Sequence, residues 1–93
     1  MPITRINKFE AHKEQAQALR DLLESFVPMI RGSAGCLDCQ VLQNLDDPAQ
    51  IVVIEIWESV EAHQVSVKNI PPKALDKAMT LITGRPESAY YSR

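Results

Sequence analysis

The segment Ile51-Val52-Val53-Ile54-Glu55-Ile56-Trp57-Glu58-Ser59 constrains the fold of this chain more than any other. Consecutive β-branched residues suit a pleated strand buried on both faces and lose side-chain freedom in a helix. Ser59, with Glu61 behind it, reads as a helix N-cap followed by an acid in the first turn. A central strand is therefore predicted to pass directly into a helix. Side chains alternate along a strand, so Val52, Ile54 and Ile56 share one face while Val53, Glu55 and Trp57 share the other. The first set is expected to hold the helices, and the mixed second set to look toward a pocket or a partner.

The flanking segments supply the other layers. Residues Ile3 to Phe9 read as a strand with Ile3, Arg5, Asn7 and Phe9 on one face. From about His12 to Arg31, Ala16, Leu19, Leu22, Leu23, Phe26, Val27 and Ile30 recur every three or four residues, the pattern of an amphipathic helix. Pro28 lies near its end, and Gly32 and Gly35 are expected to close it. A second strand from about Leu37 to Asn44 leads through Asp46-Asp47-Pro48 into the central one, which makes an antiparallel hairpin. After Ser59 come a short helix to about Lys68, a further helix opening at Pro72, and a last strand near Glu87 to Ser92.

This order is the split βαβ arrangement of a ferredoxin-like α+β domain: a four-stranded antiparallel sheet with helices on one face. One domain over residues 1–93 is expected, small enough that association would help to bury its apolar surface. Burying Val53 and Trp57 on the mixed face needs another layer, so a homodimer with two sheets face to face is expected.

Charge excludes several classes of partner. The formal net charge is -2, and no Lys/Arg run is interleaved with aromatics, so neither nucleic acid nor a membrane is an expected partner. No secretory leader and no membrane-spanning run is present in the given sequence, and a cytoplasmic protein is the default. Cys36 and Cys39 form a single Cys-x-x-Cys, too few ligands for zinc. Three residues apart on a strand, they are expected to point to opposite faces as two ordinary thiols of a reducing compartment.

Gly35-Cys36-Leu37, the Asp-Asp-Pro turn, and above all Ile54-Glu55-Ile56-Trp57-Glu58-Ser59 with Glu61-Ala62 behind it resemble the antibiotic biosynthesis monooxygenase domain of the dimeric α/β-barrel superfamily. The resemblance covers essentially the whole chain. It implies an oxygenase that needs no cofactor or metal and acts on a small electron-rich aromatic, a polyketide phenol or a quinol. Such an enzyme deprotonates the substrate, whose anion reduces dioxygen, and supplies a dry pocket, a base and hydrogen bonds to the anion. By the same resemblance, Asn7 matches a cavity asparagine and Trp57 a cavity tryptophan. Two histidines that many members carry fall here on Ser66 and Pro71. Their absence keeps open a non-catalytic ligand-binding or stress-response protein. A haem-degrading relative is disfavoured, since its aromatic and axial histidine have no counterpart at Ser66 or near Asp76.

The candidate catalytic residues are thus Asn7, Glu55 and Trp57. Glu55 is read either as a general base or as an ion-pair partner of Arg5 or of another cation at the dimer interface, and Trp57 either as a stacking surface or as core or interface packing. Arg5, Phe9, Val53, His63 and Tyr90 are the candidate substrate contacts. His63 sits one turn into the second helix, and Tyr90 and Tyr91 should straddle the last strand.

Overall fold

A computed structural model describes all 93 residues. The elements follow the order β1 (Ile3–Glu10), α1 (Ala16–Arg31), β2 (Cys36–Gln43), β3 (Gln50–Trp57), α2 (Val60–Val67), α3 (Pro72–Thr80) and β4 (Glu87–Tyr91). The four strands form one antiparallel sheet in the order β2-β3-β1-β4, the ferredoxin-like topology. No helix is long and apolar enough to cross a membrane.

The start of α1 departs from expectation. Residues 12–15 form a turn in which Glu14 has φ +71°, a left-handed conformation that an α-helix cannot contain, so the helix begins only at Ala16. Pro28 does not end it. The helix continues to Arg31, and the Gly32 N–H closes it on the Pro28 carbonyl at 3.0 Å. Ser59 caps α2 as its sequence indicates, its hydroxyl accepting the Ala62 N–H at 3.1 Å.

The two faces of β3 are exchanged relative to expectation. Ile51, Val53, Glu55 and Trp57 lie under the helices, and Leu19, Leu23 and Val27 of α1 pack on Ile51, Val53 and Cys39. Val52, Ile54 and Ile56 instead occupy the face without helices and stay half-buried. Both faces of β3 carry branched apolar residues, so alternation alone left the choice to polarity. A polar strand residue ordinarily marks the outer face. Here Arg5, Asn7 and Glu55 are gathered beneath the helices, because the helical layer does not close over them and leaves a cavity.

The Cys36–Cys39 geometry is also corrected. The β2–β3 register pairs Cys36 with Trp57 and Asp38 with Ile56, leaving Leu37 as an extra residue in a bulge. That extra residue puts Cys36 and Cys39 on the same, helix-covered face and turns Leu37 outward, 53% exposed. Both thiols are free. Burial raises the pKa of each, Cys39 to about 12, so neither has the character of a redox nucleophile.

Just before the bulge, Gly35 has φ +84°, and a Cβ there would stand 2.6 Å from the Ala62 Cβ. Only glycine lets α2 lie this close to the sheet. The contact fixes the first turn of α2, and with it His63, above the end of β3.

Candidate active site

Strand register builds the polar part of the site in one row. Glu55 of β3 lies opposite Arg5 of β1, and Arg5 opposite Tyr90 of β4. Asn7 sits two residues along β1 from Arg5 and Trp57 two along β3 from Glu55, so alternation returns both to the same face. His63 descends from α2 onto this row.

Glu55 is the centre of the arrangement and is only 5% exposed. The Trp57 Nε1–H donates to its Oε1 at 2.8 Å, and the Asn7 Nδ2–H donates to its Oε2 at 3.2 Å. His63 Nε2 stands 4.0 Å from Oε1, too far for a hydrogen bond but close enough to feel the charge. On its other side, His63 Nδ1 and the Tyr90 hydroxyl are 2.6 Å apart and share a hydrogen bond. The His63 ring meets Trp57 and Tyr90 edge-on, and the Arg5 guanidinium lies 4.6 Å above the Tyr90 ring.

The expected Arg5–Glu55 ion pair does not form: Trp57 and Asn7 satisfy the Glu55 carboxylate, and Arg5 has no carboxylate within salt-bridge distance. Burial raises the pKa of Glu55, partly offset by the Trp57 hydrogen bond and by the positive charge of Arg5. Burial lowers the pKa of His63, and Arg5 pushes it the same way. A neutral imidazole beside a carboxyl group is the outcome, a combination able to accept and pass a proton at neutral pH.

This cluster forms the polar end of a cavity of about 220 Å³ between sheet and helices. Arg5, Asn7, Phe9, Val53, Glu55, Trp57 and His63 all line it. Tyr90 does not. It reaches the site through His63 and through Arg5, which lies over its ring, so its expected place as a substrate contact gives way to one behind these two side chains. The rest of the wall is mainly apolar and helical: Phe26, Met29 and Ile30 from α1, Val67 from α2, Ile70 beyond it, and Leu75 and Met79 from α3.

These helical residues escaped sequence reasoning because their spacing is that of core. A hint survives in α3, where Leu75 and Met79 remain 37% and 53% exposed at the rim. Ser66 lines the cavity as well, but its hydroxyl donates back to the His63 carbonyl at 2.6 Å. No group of His, Cys, Asp and Glu side chains is arranged to hold a metal ion.

Solved structures with this architecture are numerous. A protein of Chloroflexus aurantiacus J-10-fl assigned to the antibiotic biosynthesis monooxygenases is 28% identical, with a TM-score of 0.81 over 100% of this chain and 93% of that one. A conserved protein of Methanosarcina mazei Go1 is 18% identical, with a TM-score of 0.89 over 100% and 93% of the two chains. A mutant of SnoaB, a cofactor-independent oxygenase of Streptomyces nogalater, is 16% identical, with a TM-score of 0.83 over 99% and 92%. The latter two similarities concern the fold alone. No curated relative matches the sequence. The sequence model of the family described as antibiotic biosynthesis monooxygenase matches residues 2–71. That span runs from β1 through α2 and carries Asn7, Glu55, Trp57 and His63, so by most of its length and most of its polar cluster the chain belongs to the antibiotic biosynthesis monooxygenase family.

Proposed function

We propose that this chain is a cofactor-independent monooxygenase that oxidises a small phenol or quinol, with residues 1–93 acting as one domain. The observation that carries the reading is the buried His63, tied to Tyr90 on one side and adjacent to Glu55 on the other, at the polar end of an otherwise apolar cavity. At about 220 Å³ the cavity is smaller than the roughly 300–1,000 Å³ of drug-sized pockets. It suits one or two rings better than an extended polyketide or a tetrapyrrole.

The chemistry follows from the residues at that end. With Nδ1–H donated to the Tyr90 oxygen, His63 Nε2 keeps a lone pair and accepts the phenolic proton; the carboxylate of Glu55 stabilises the imidazolium that results. The phenolate transfers one electron to dioxygen, and recombination of the radical pair forms a peroxide on a ring carbon, protonated by His63. Loss of the ring C–H proton then cleaves the O–O bond. One oxygen atom remains as the new carbonyl and the other leaves as water, so phenol plus O₂ gives quinone plus H₂O with no external reductant. Trp57 and the apolar wall exclude bulk water from the reactive intermediates.

Oxygen uptake with a panel of one- and two-ring quinols tests the reading, with ¹⁸O₂ required to place one labelled atom in the product. His63→Ala should lower kcat by about 10²–10⁴-fold, the ordinary contribution of a general base. Binding without uptake across the panel would favour a non-catalytic ligand carrier. That second reading is favoured by the lining itself: His63 is the one histidine at the cavity, and the Ser66 hydroxyl is turned onto a backbone carbonyl and not toward a ligand.

The same proposal includes a homodimer and, with two free thiols, a reducing cytoplasmic setting. The sheet face without helices presents Ile6, Val52, Ile54 and Ile56 half-buried, with Leu42 and Tyr91 46% and 49% exposed. A contiguous apolar sheet face of this kind is suited to a second sheet. Light scattering at micromolar concentration should give twice the 10.4 kDa chain mass, and a monomer would refute the dimer.

A further inference from the structure

The donors that line the cavity are nearly all engaged. Trp57 Nε1–H and an Asn7 Nδ2–H are given to Glu55, while the Ser33 and Ser66 hydroxyls donate to the carbonyls of Met29 and His63. Arg5 is the charged exception: it lines the cavity, its guanidinium makes no hydrogen bond to a protein acceptor, and it lies over the Tyr90 ring; the other free donor, the Ser88 hydroxyl, is neutral and on an exposed residue. Its Nε is buried with no hydrogen-bond partner. A buried N–H without an acceptor is costly, and a charged one more so.

An unpaired guanidinium narrows what would satisfy it. A carboxylate can approach end-on and accept one Nη–H with each of its oxygens. Those terminal nitrogens are the ones open to an acceptor, because Nε is closed to an atom the size of water. A neutral phenol oxygen would occupy one donor and leave the charge uncompensated. Glu55, the nearest carboxyl on the facing strand, is already held by Trp57 and Asn7.

We propose that Arg5 is the seat of a ring carboxylate, so that the cavity selects acidic aromatics over neutral ones. This rests on the cavity being the ligand site of the function proposed above, and it narrows the substrate class to phenols or quinols that also bear a carboxylate. With the carboxylate on Arg5 at the β1–β4 side, the ring lies among Phe9, Trp57 and the helical wall, within reach of His63. Burial is the main cause of the lowered His63 pKa and Arg5 adds to it; a ligand carboxylate on Arg5 cancels that second contribution, so it should leave the His63 pKa higher than a neutral ligand of the same shape does.

Isothermal titration calorimetry with 2-naphthoate and its neutral isostere 2-naphthamide tests the proposal without turnover. The wild-type protein should bind the carboxylate about tenfold to a hundredfold more tightly, the range for a charge-assisted hydrogen-bond pair. Arg5→Met should abolish that preference, Arg5→Lys should retain part of it, and thermal melting establishes that each variant is folded. In the wild type, the His63 pKa followed by NMR should be higher with 2-naphthoate bound than with the amide bound, and this difference should vanish in Arg5→Met. Equal affinity for both probes in the wild type, or an undiminished preference in Arg5→Met, overturns the role of Arg5 while leaving the oxygenase reading to oxygen uptake. Failure of both probes to bind overturns the aromatic cavity itself.

Discussion

Trp57→Phe separates an electrostatic role for the tryptophan from simple packing. Two costs are expected. The smaller ring leaves a void beneath α2 worth about 1 kcal/mol. The lost Nε1–H···Oε1 bond, 2.8 Å long and made to a carboxyl group 5% exposed, is worth about 1.5–3 kcal/mol when Glu55 is ionised. The sum, about 2.5–4 kcal/mol, is a large part of the roughly 5–14 kcal/mol expected for a chain of 93 residues, but it should leave the protein folded.

Packing and charge respond differently to pH. Burial already raises Glu55 above its ordinary 4.5, and the Trp57 hydrogen bond opposes that rise. Without the indole N–H the folded-state pKa climbs further, so the folded variant holds its proton to higher pH than the folded wild type. By linkage, the electrostatic part of the penalty grows as pH rises through the Glu55 pKa and disappears below it, while the void costs the same throughout. Urea unfolding of both proteins from about pH 4 to pH 8 measures the difference. In a Glu55→Gln background the cost of Trp57→Phe should fall by at least about 1 kcal/mol, the difference between a charged and a neutral bond. A penalty independent of pH and identical in both backgrounds would show that Trp57 only fills space.

Two further outcomes test the other buried groups. Burial holds His63 below 6.5, so just under that pH the unfolded chain binds more protons than the folded one, and stability should fall as pH drops through the window. His63→Gln should flatten that slope in urea midpoints measured between about pH 5 and pH 7, whereas an unchanged slope would mean that His63 titrates as in water. Cys39, 0% exposed and with a pKa pushed up to about 12, should resist an aromatic disulfide reagent at about pH 8 in the native state and react only on unfolding. Rapid labelling of Cys39 in the native protein would show that the β2 bulge opens.

The features legible in the sequence are those that a local rule determines. Leu19, Leu23 and Val27 lie one helical turn apart and are the buried residues of α1; Ser59 is followed by free N–H groups that its hydroxyl can accept. Strand order follows from the chain of hairpin and crossovers. What failed was parity. A single bulged residue at Leu37 brought Cys36 and Cys39 to one face, and the apolar character of both sides of β3 left its orientation to a rule about polar residues. Parity errors of this kind move every side chain of a strand at once.

That inversion changes how the polar strand residues should be understood. Arg5, Asn7 and Glu55 occupy the face where a core would ordinarily be apolar, so each carries a cost of desolvation. Asn7 and Trp57 offset it for Glu55, and Tyr90 does so for His63. Arg5 alone receives no acceptor from the chain, and its Nε is the buried side-chain polar atom left unsatisfied. A fold stabilised only by its own contacts would gain from methionine or leucine at this position, which would pack against Tyr90 without an unpaired charge. The proposed ligand accounts for this geometry where the fold alone does not: five strand and helix residues satisfy one another, and the sixth, Arg5, is left for what enters.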